Sequence, residues 1–152
     1  MARYSCSFNE ALSTTDDLRT IVSVATGQGS VLKVYEFQLG GQGSASAVNV
    51  LVFNRPSANG SGAVTNVVPE KLDPASVAAA FSNASTFASS QPTLSTNDVL
   101  SFSFNAFGGQ VRWVAIPDSE VIVGGQGAIA NLSVRSRSGT SSVSGHILVE
   151  ER

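Results

Sequence analysis

Catalysis needs groups that converge, and this chain offers few of the types that could. It has one histidine, His146, and one cysteine, Cys6. A Ser-His-Asp arrangement requires an imidazole held by an acid and set beside a nucleophile. Serines abound, but nothing singles one out for His146, which alternates with Gly145 and Ile147. A solvated or interface histidine is the expectation. A zinc site draws several converging His, Cys or carboxylate ligands, which one His and one Cys do not supply. Carboxylates stand close together at Asp16/Asp17, Glu70/Asp73, Asp118/Glu120 and Glu150/Glu151. Two acids facing each other across a cleft could hydrolyse glycosides. Asp118 and Glu120 flank a turn after Pro117, however, and Glu150/Glu151 lie near the end of the chain, so solvated loop carboxylates are expected. The regular ligand spacing of a calcium loop is absent.

The remaining motifs have simple readings. Gly-Gln-Gly occurs three times, ending at Gly29, Gly43 and Gly127. A phosphate-cradling glycine loop must open a helix, whereas each of these leads into a strand or a polar loop, which points to β-turns. Asn59-Gly60-Ser61, Asn83-Ala84-Ser85 and Asn131-Leu132-Ser133 match the glycosylation pattern, as chance allows in a chain rich in Asn and Ser. Trp113 could stack on a sugar if exposed, but a lone Trp in an alternating run is expected in the core. The sequence therefore assigns no catalytic, cofactor-binding or metal-binding residue, calls for no cofactor, and reads as a protein that is not an enzyme.

Composition points the same way. Of 152 residues, 42% are hydrophobic and only 13% charged, against about 25% in ordinary soluble domains. Ser, Thr, Asn, Gln and Gly fill the polar positions. Neutral groups cost less to desolvate than ions, so such a surface suits a protein packed against neighbours. The net charge is −2 without a run of either sign. Arg135 and Arg137 form the densest basic pair, on one face of an expected strand, and no basic stripe with interleaved aromatics marks a nucleic-acid binder. No apolar run reaches membrane-spanning length, and the start, Met1 to Cys6, lacks an apolar signal core. With one cysteine no internal disulfide can form, which fits synthesis in a reducing cytoplasm.

The elements that must carry these residues follow a period of two. Tyr4, Cys6 and Phe8 alternate with serines. Further runs cover 18–25, 31–39 (Val31, Tyr35, Phe37 and Leu39 on one face), 48–53, 99–106, 111–116, 119–123, 128–135 and 143–150. Gly, Asn, Ser and Pro clusters separate them. About eight strands so punctuated predict a single domain over 1–152, all-β, an antiparallel jelly-roll β-sandwich with at most one short helix. Asp73 as cap and Pro74 at the first position predict a short helix or turn over 73–81, and 82–96 reads as a long connection across the sandwich. The expected core is Ile21, Val24, Tyr35, Phe37, Leu51, Leu100, Phe102, Phe104, Trp113, Ile122, Leu132 and Ile147. The run Val48 to Phe53 is apolar on both faces, which asks for cover from a symmetric neighbour or from the 82–96 connection.

Three segments in order carry a resemblance: Leu32-Lys33-Val34-Tyr35-Glu36, then Lys71-Leu72-Asp73-Pro74, then Arg112-Trp113-Val114-Ala115 leading to Ser144-Gly145-His146 and Glu150-Glu151. Over roughly Asp17 to Glu151 the chain resembles a family of small jelly-roll proteins from tailed-phage structural gene blocks, whose members are similar to capsid decoration, or cement, proteins. The resemblance implies a homotrimer on the exterior of the virion, bracing major capsid protein subunits after synthesis in the host cytoplasm. It implies no catalytic residues, nucleic-acid partner or membrane. The alternative from the residues is a carbohydrate- or receptor-binding β-sandwich of a virion tip, using Trp113, Tyr35 or loop carboxylates. An aromatic exposed in a groove beside polar side chains would separate the two. An esterase or glycosidase would need His146 or an acid pair in a pocket.

Overall fold

The computed structural model describes residues 1–22, 31–62, 64–124 and 131–152. In β1 (Ala2–Ala11) the alternation works as the sequence predicts: Tyr4, Cys6 and Phe8 are buried while Ser7 and Asn9 face out. Along its whole length β1 pairs antiparallel with β12 (Ser142–Glu151), which pairs in turn with β3 (Leu32–Gln42). The far edge of β3 is shared by β9 (Phe107–Val114) and β10 (Val121–Val123). On the other edge of the sheet, β6 (Glu70–Lys71) touches β1 at Tyr4 and Ser5. The second sheet runs β5 (Val64–Val67), β7 (Ser82–Phe87), β2 (Arg19–Val22), β11 (Asn131–Ser138), β4 (Val48–Ala58) and β8 (Thr93–Asn105). The order β1-β12-β3-β9 set against β2-β11-β4-β8 is that of a jelly roll, with β5, β6 and β7 added at one side. Between the sheets, Phe37 packs on Phe53 at 5.0 Å and on Phe102 at 5.5 Å, and Phe8 stacks on Phe37 at 6.2 Å.

Several expectations need correction. On β3 the buried residues are Leu32 and Val34, then Phe37 and Leu39, so the inward parity changes midway. The cause is a β-bulge: Leu148 is paired with Glu36 and Val149 with Val34, leaving Tyr35 as the extra residue. A bulge sets two residues against one, and here it turns Tyr35 out of the core to a half-buried place. On β10 the parity is also reversed, since Val121 and Val123 are buried and Ile122 is exposed opposite Lys33. Leu100, Phe102 and Trp113 do face the core but are only partly buried. Val24 lies outside the described residues. Ile21, Phe37, Leu51, Phe104, Leu132 and Ile147 are buried as expected.

Of the short helix or turn expected over 73–81, a turn at Asp73 is what forms. Asp73 does cap, its Oδ1 accepting from the Ala75 amide at 2.9 Å while its carbonyl accepts from Ser76 N at 3.0 Å, and this closes a turn. Beyond it the chain is held by β1 and β12. The Tyr4 hydroxyl donates to the Val77 carbonyl at 3.1 Å, and Glu151 Oε2 accepts from Ala80 N at 3.3 Å. These tethers, with Phe81 edge-on to Tyr4 at 5.5 Å, draw the segment out along the sandwich. The expected connection 82–96 is likewise β7 and the start of β8.

Part of the outer face of the second sheet is covered by this same chain. Asp17, with its side chain wholly buried, holds the Arg135 guanidinium at 2.5 Å, and Arg135 also donates to the Pro92 carbonyl at 3.0 Å. Thr20 donates to Asp17 at 2.7 Å. Asn54 donates to Ser95 O, Asn97 O and Asp98 Oδ1 at 2.7–3.1 Å. Beneath this polar layer Val52, paired with Arg135 and Ser101, is buried. Of the two covers that the apolar run 48–53 asked for, the chain itself supplies the one over Val52, while Val48 stays exposed.

Two stability measurements check this packing. Phe53→Ala should cost about 3–5 kcal/mol in chemical denaturation, Phe102→Ala less, and Ile122→Ala under about 1 kcal/mol. Asp17→Ala strands a buried guanidinium and should cost about 3–5 kcal/mol. A loss near zero would mean that Arg135 finds water and that the covering layer is loose.

Candidate interaction surfaces

The outer face of the β1-β12-β3-β9 sheet carries His146, and cross-strand register decides its company. Its Nε2 lies 3.6 Å from Glu36 Oε1, which also accepts from Arg112 Nε at 3.0 Å. Glu36 reaches this place because the bulge at Tyr35 turns it outward opposite Leu148. The cluster supplies an acid for the imidazole, and no serine hydroxyl bonds to it among the described residues. Ser144, its neighbour on the same face, is engaged by Gln42 Nε2 at 3.0 Å. The pocket there holds about 230 Å³ and is lined by Gln38, Gln110, Ser144 and His146 among others. Arg112 beside Glu36 holds that carboxyl below the usual range, through its hydrogen bond first and its charge second. The arrangement is an ion pair with a histidine at its edge, without a nucleophile.

The other expected residues are dispersed. Asp17 is committed to Arg135, whereas Asp16 accepts from Ser13 Oγ at 3.3 Å within a turn. Glu120 pairs with Lys33 at 3.4 Å, and Asp118 sits in the turn with a φ of 69°. Glu150 bridges Arg3 and Arg152, and Glu151 turns to the Ala80 amide. Glu120 and Glu150 line one pocket, where each is paired with a cation, Lys33 and Arg3 respectively. Among the described residues no three His, Cys, Asp or Glu side chains converge on a metal position. Cys6 is buried, and burial pushes its thiol up to about 12. Asn83 and Asn131 are buried, so two of the three glycosylation matches are closed in the folded protein. Of the Gly-Gln-Gly repeats only 41–43 is described. A side chain at Gly41 would meet the Ala106 carbonyl, and Gly43 N donates to that same oxygen at 2.8 Å. Its glycines serve a close backbone approach.

Two aromatics bear on sugar binding. Trp113 faces inward against Phe53 at 6.3 Å. Tyr35, turned out by the bulge, walls a pocket of about 190 Å³ with Arg3, Lys33, Glu120 and Glu150, and the Arg3 guanidinium lies 5.6 Å from its ring centroid.

The surface also carries exposed apolar residues. Met1, Leu72 and Val77 are exposed, and an open groove of about 880 Å³ runs between Met1, Ala75, Val77, Ala78 and Glu151. A second set, with Val99, Phe107, Val114 and Ile116, lies along and just beyond β8 and β9. Neither set could be found from the sequence, because alternation does not tell an outward apolar residue from an inward one. Charge, by contrast, is largely paired within the chain. Of nine Lys and Arg side chains, seven are in ion pairs within the chain. Arg135 and Arg137, the basic pair, are held by Asp17 and Asp98.

Comparison with family models, with curated proteins and with solved structures found no match.

The Glu36 assignment is open to titration. A carboxyl with a lowered folded pKa contributes stability above its unfolded value, ordinarily 4.5, and loses it as pH falls through the lowered value. Arg112→Gln should move the Glu36 titration, followed by carboxyl NMR, up toward 4.5 and flatten the acid side of the stability profile. An unchanged midpoint would show that Arg112 does not hold Glu36.

Proposed function

We propose that this chain is a non-catalytic structural protein that decorates the exterior of a phage capsid, bracing major capsid subunits as a homo-oligomer. The observation that carries the reading is the commitment of seven of nine cations to partners inside the chain, which leaves broad neutral and apolar surface to be covered. Neutral surface is cheap to desolvate over a wide, shallow contact. Several such contacts made by one oligomer on one particle become intramolecular after the first, so modest sites give firm attachment. The family resemblance supplies the capsid as the partner. The groove beside Met1, Leu72 and Val77 is the surface we assign to it.

A second reading has one observation in its favour, the pocket at Tyr35. A half-buried aromatic flanked by Lys33, Glu120 and Glu150 suits a sugar, though Arg3 already stands over the ring.

Co-sedimentation with expanded capsids tests the first reading. The wild-type chain should pellet with them, and Leu72→Lys/Val77→Lys should weaken binding by about tenfold or more while the circular dichroism spectrum stays the same. Failure of the wild-type chain to bind would contradict the decoration role. Saccharide binding lost in Tyr35→Ala would then establish the alternative.

A further inference from the structure

Edge strands display unpaired amides and carbonyls, and proteins that remain single guard them with charge, proline, bulges or a covering segment. Most edges here are guarded. β1 is met by β6 and by the segment after it, where Leu72 N donates to Arg3 O at 3.0 Å. β5 has four residues and β10 three. The edge of β8 is different. It is the last strand of its sheet, and over Leu100 to Asn105 it pairs regularly with β4, with the register shifts confined to its first half. From Val99 to Val111 the sequence has no charged residue and no proline.

The core confirms that this flank is open. The larger core side chains left partly exposed are Leu100 and Phe102 on β8 and Val111 and Trp113 on β9. Phe102 touches both Phe37 and Phe53 at 5.5 Å, so it is a central residue that still lacks a cover.

We propose that a second copy of this chain covers the flank by pairing its own β8 antiparallel to this one, about a two-fold axis normal to the sheet. The occupant follows from the pattern. A strand added here must present apolar residues to the inner face at every second position, and a copy of this same strand must set no like charges opposite each other. β8 meets both conditions with itself. An axis normal to the sheet keeps the two inner faces on one side, and centring it at Phe102 sets Leu100 opposite Phe104 and Ser101 opposite Ser103. Inward residues meet inward ones, serines meet serines outside, and the contact is isologous and closes at two. The proposal goes beyond the capsid reading and does not rest on it.

The test uses Ser101 and Ser103, which are exposed on the outer face. In Ser101→Lys/Ser103→Lys, like charges face each other twice across the axis. In Ser101→Lys/Ser103→Glu, each lysine faces a glutamate. Sedimentation equilibrium at micromolar concentration should find the wild type as a pair, the double lysine variant as a monomer, and the Lys/Glu variant as a pair again, with unchanged unfolding curves at a common low concentration. A wild-type monomer would overturn the proposal. So would a trimer, as the family resemblance implies, or a pair indifferent to both variants. Rescue by Lys/Glu is the readout that non-specific loss of solubility would not give.

Discussion

The buried pair between Asp17 and Arg135 decides what kind of surface this sandwich has. A guanidinium out of water must be matched by an acid and by further acceptors, and Asp17 and the Pro92 carbonyl supply them. By meeting that demand the chain brings 91–98 and the segment just before β2 together over the outer face of one sheet. Thr20, Asn54 and Ser133 then find partners there in place of water. Part of one outer face is thus closed by polar bonds, while the opposite one carries the exposed Arg112 paired with Glu36 beside His146.

Charge is the second consequence. Arg3, Lys33, Arg112 and Arg137 each face an acid on the same sheet or on a neighbouring strand. Such pairs at a surface add little stability. They set each cation beside an anion, so the field of each pair falls off over a short distance.

Much of the fold was legible in the sequence, for a local reason. β1, β8 and β12 each keep one parity over several residues, and the pleat translates parity directly into inside and outside. β3 defeated that rule, because its bulge is a property of pairing with β12, over a hundred residues away. Val121-Ile122-Val123 is too short and too uniformly apolar to carry a parity. β7, Ser82-Asn83-Ala84-Ser85-Thr86-Phe87, gives almost no hydrophobic signal because only Ala84 and Phe87 in it are apolar. The Asp73 cap allowed a short helix or a turn, and tethers from Tyr4 and Glu151 to the backbone beyond it go with the turn. The cluster at His146 was out of reach for the same reason as the bulge: Glu36, Arg112 and His146 meet only through register.

Role, rather than fold, is what most needs an observation. A three-dimensional reconstruction of intact virus particles that contain this chain is the most direct one. The account predicts jelly-roll density outside the capsid shell, seated across neighbouring major capsid subunits, with the Met1 and Val77 groove facing the lattice. A shell fully explained by other proteins, with this fold found at a tail tip or absent from the particle, would contradict it.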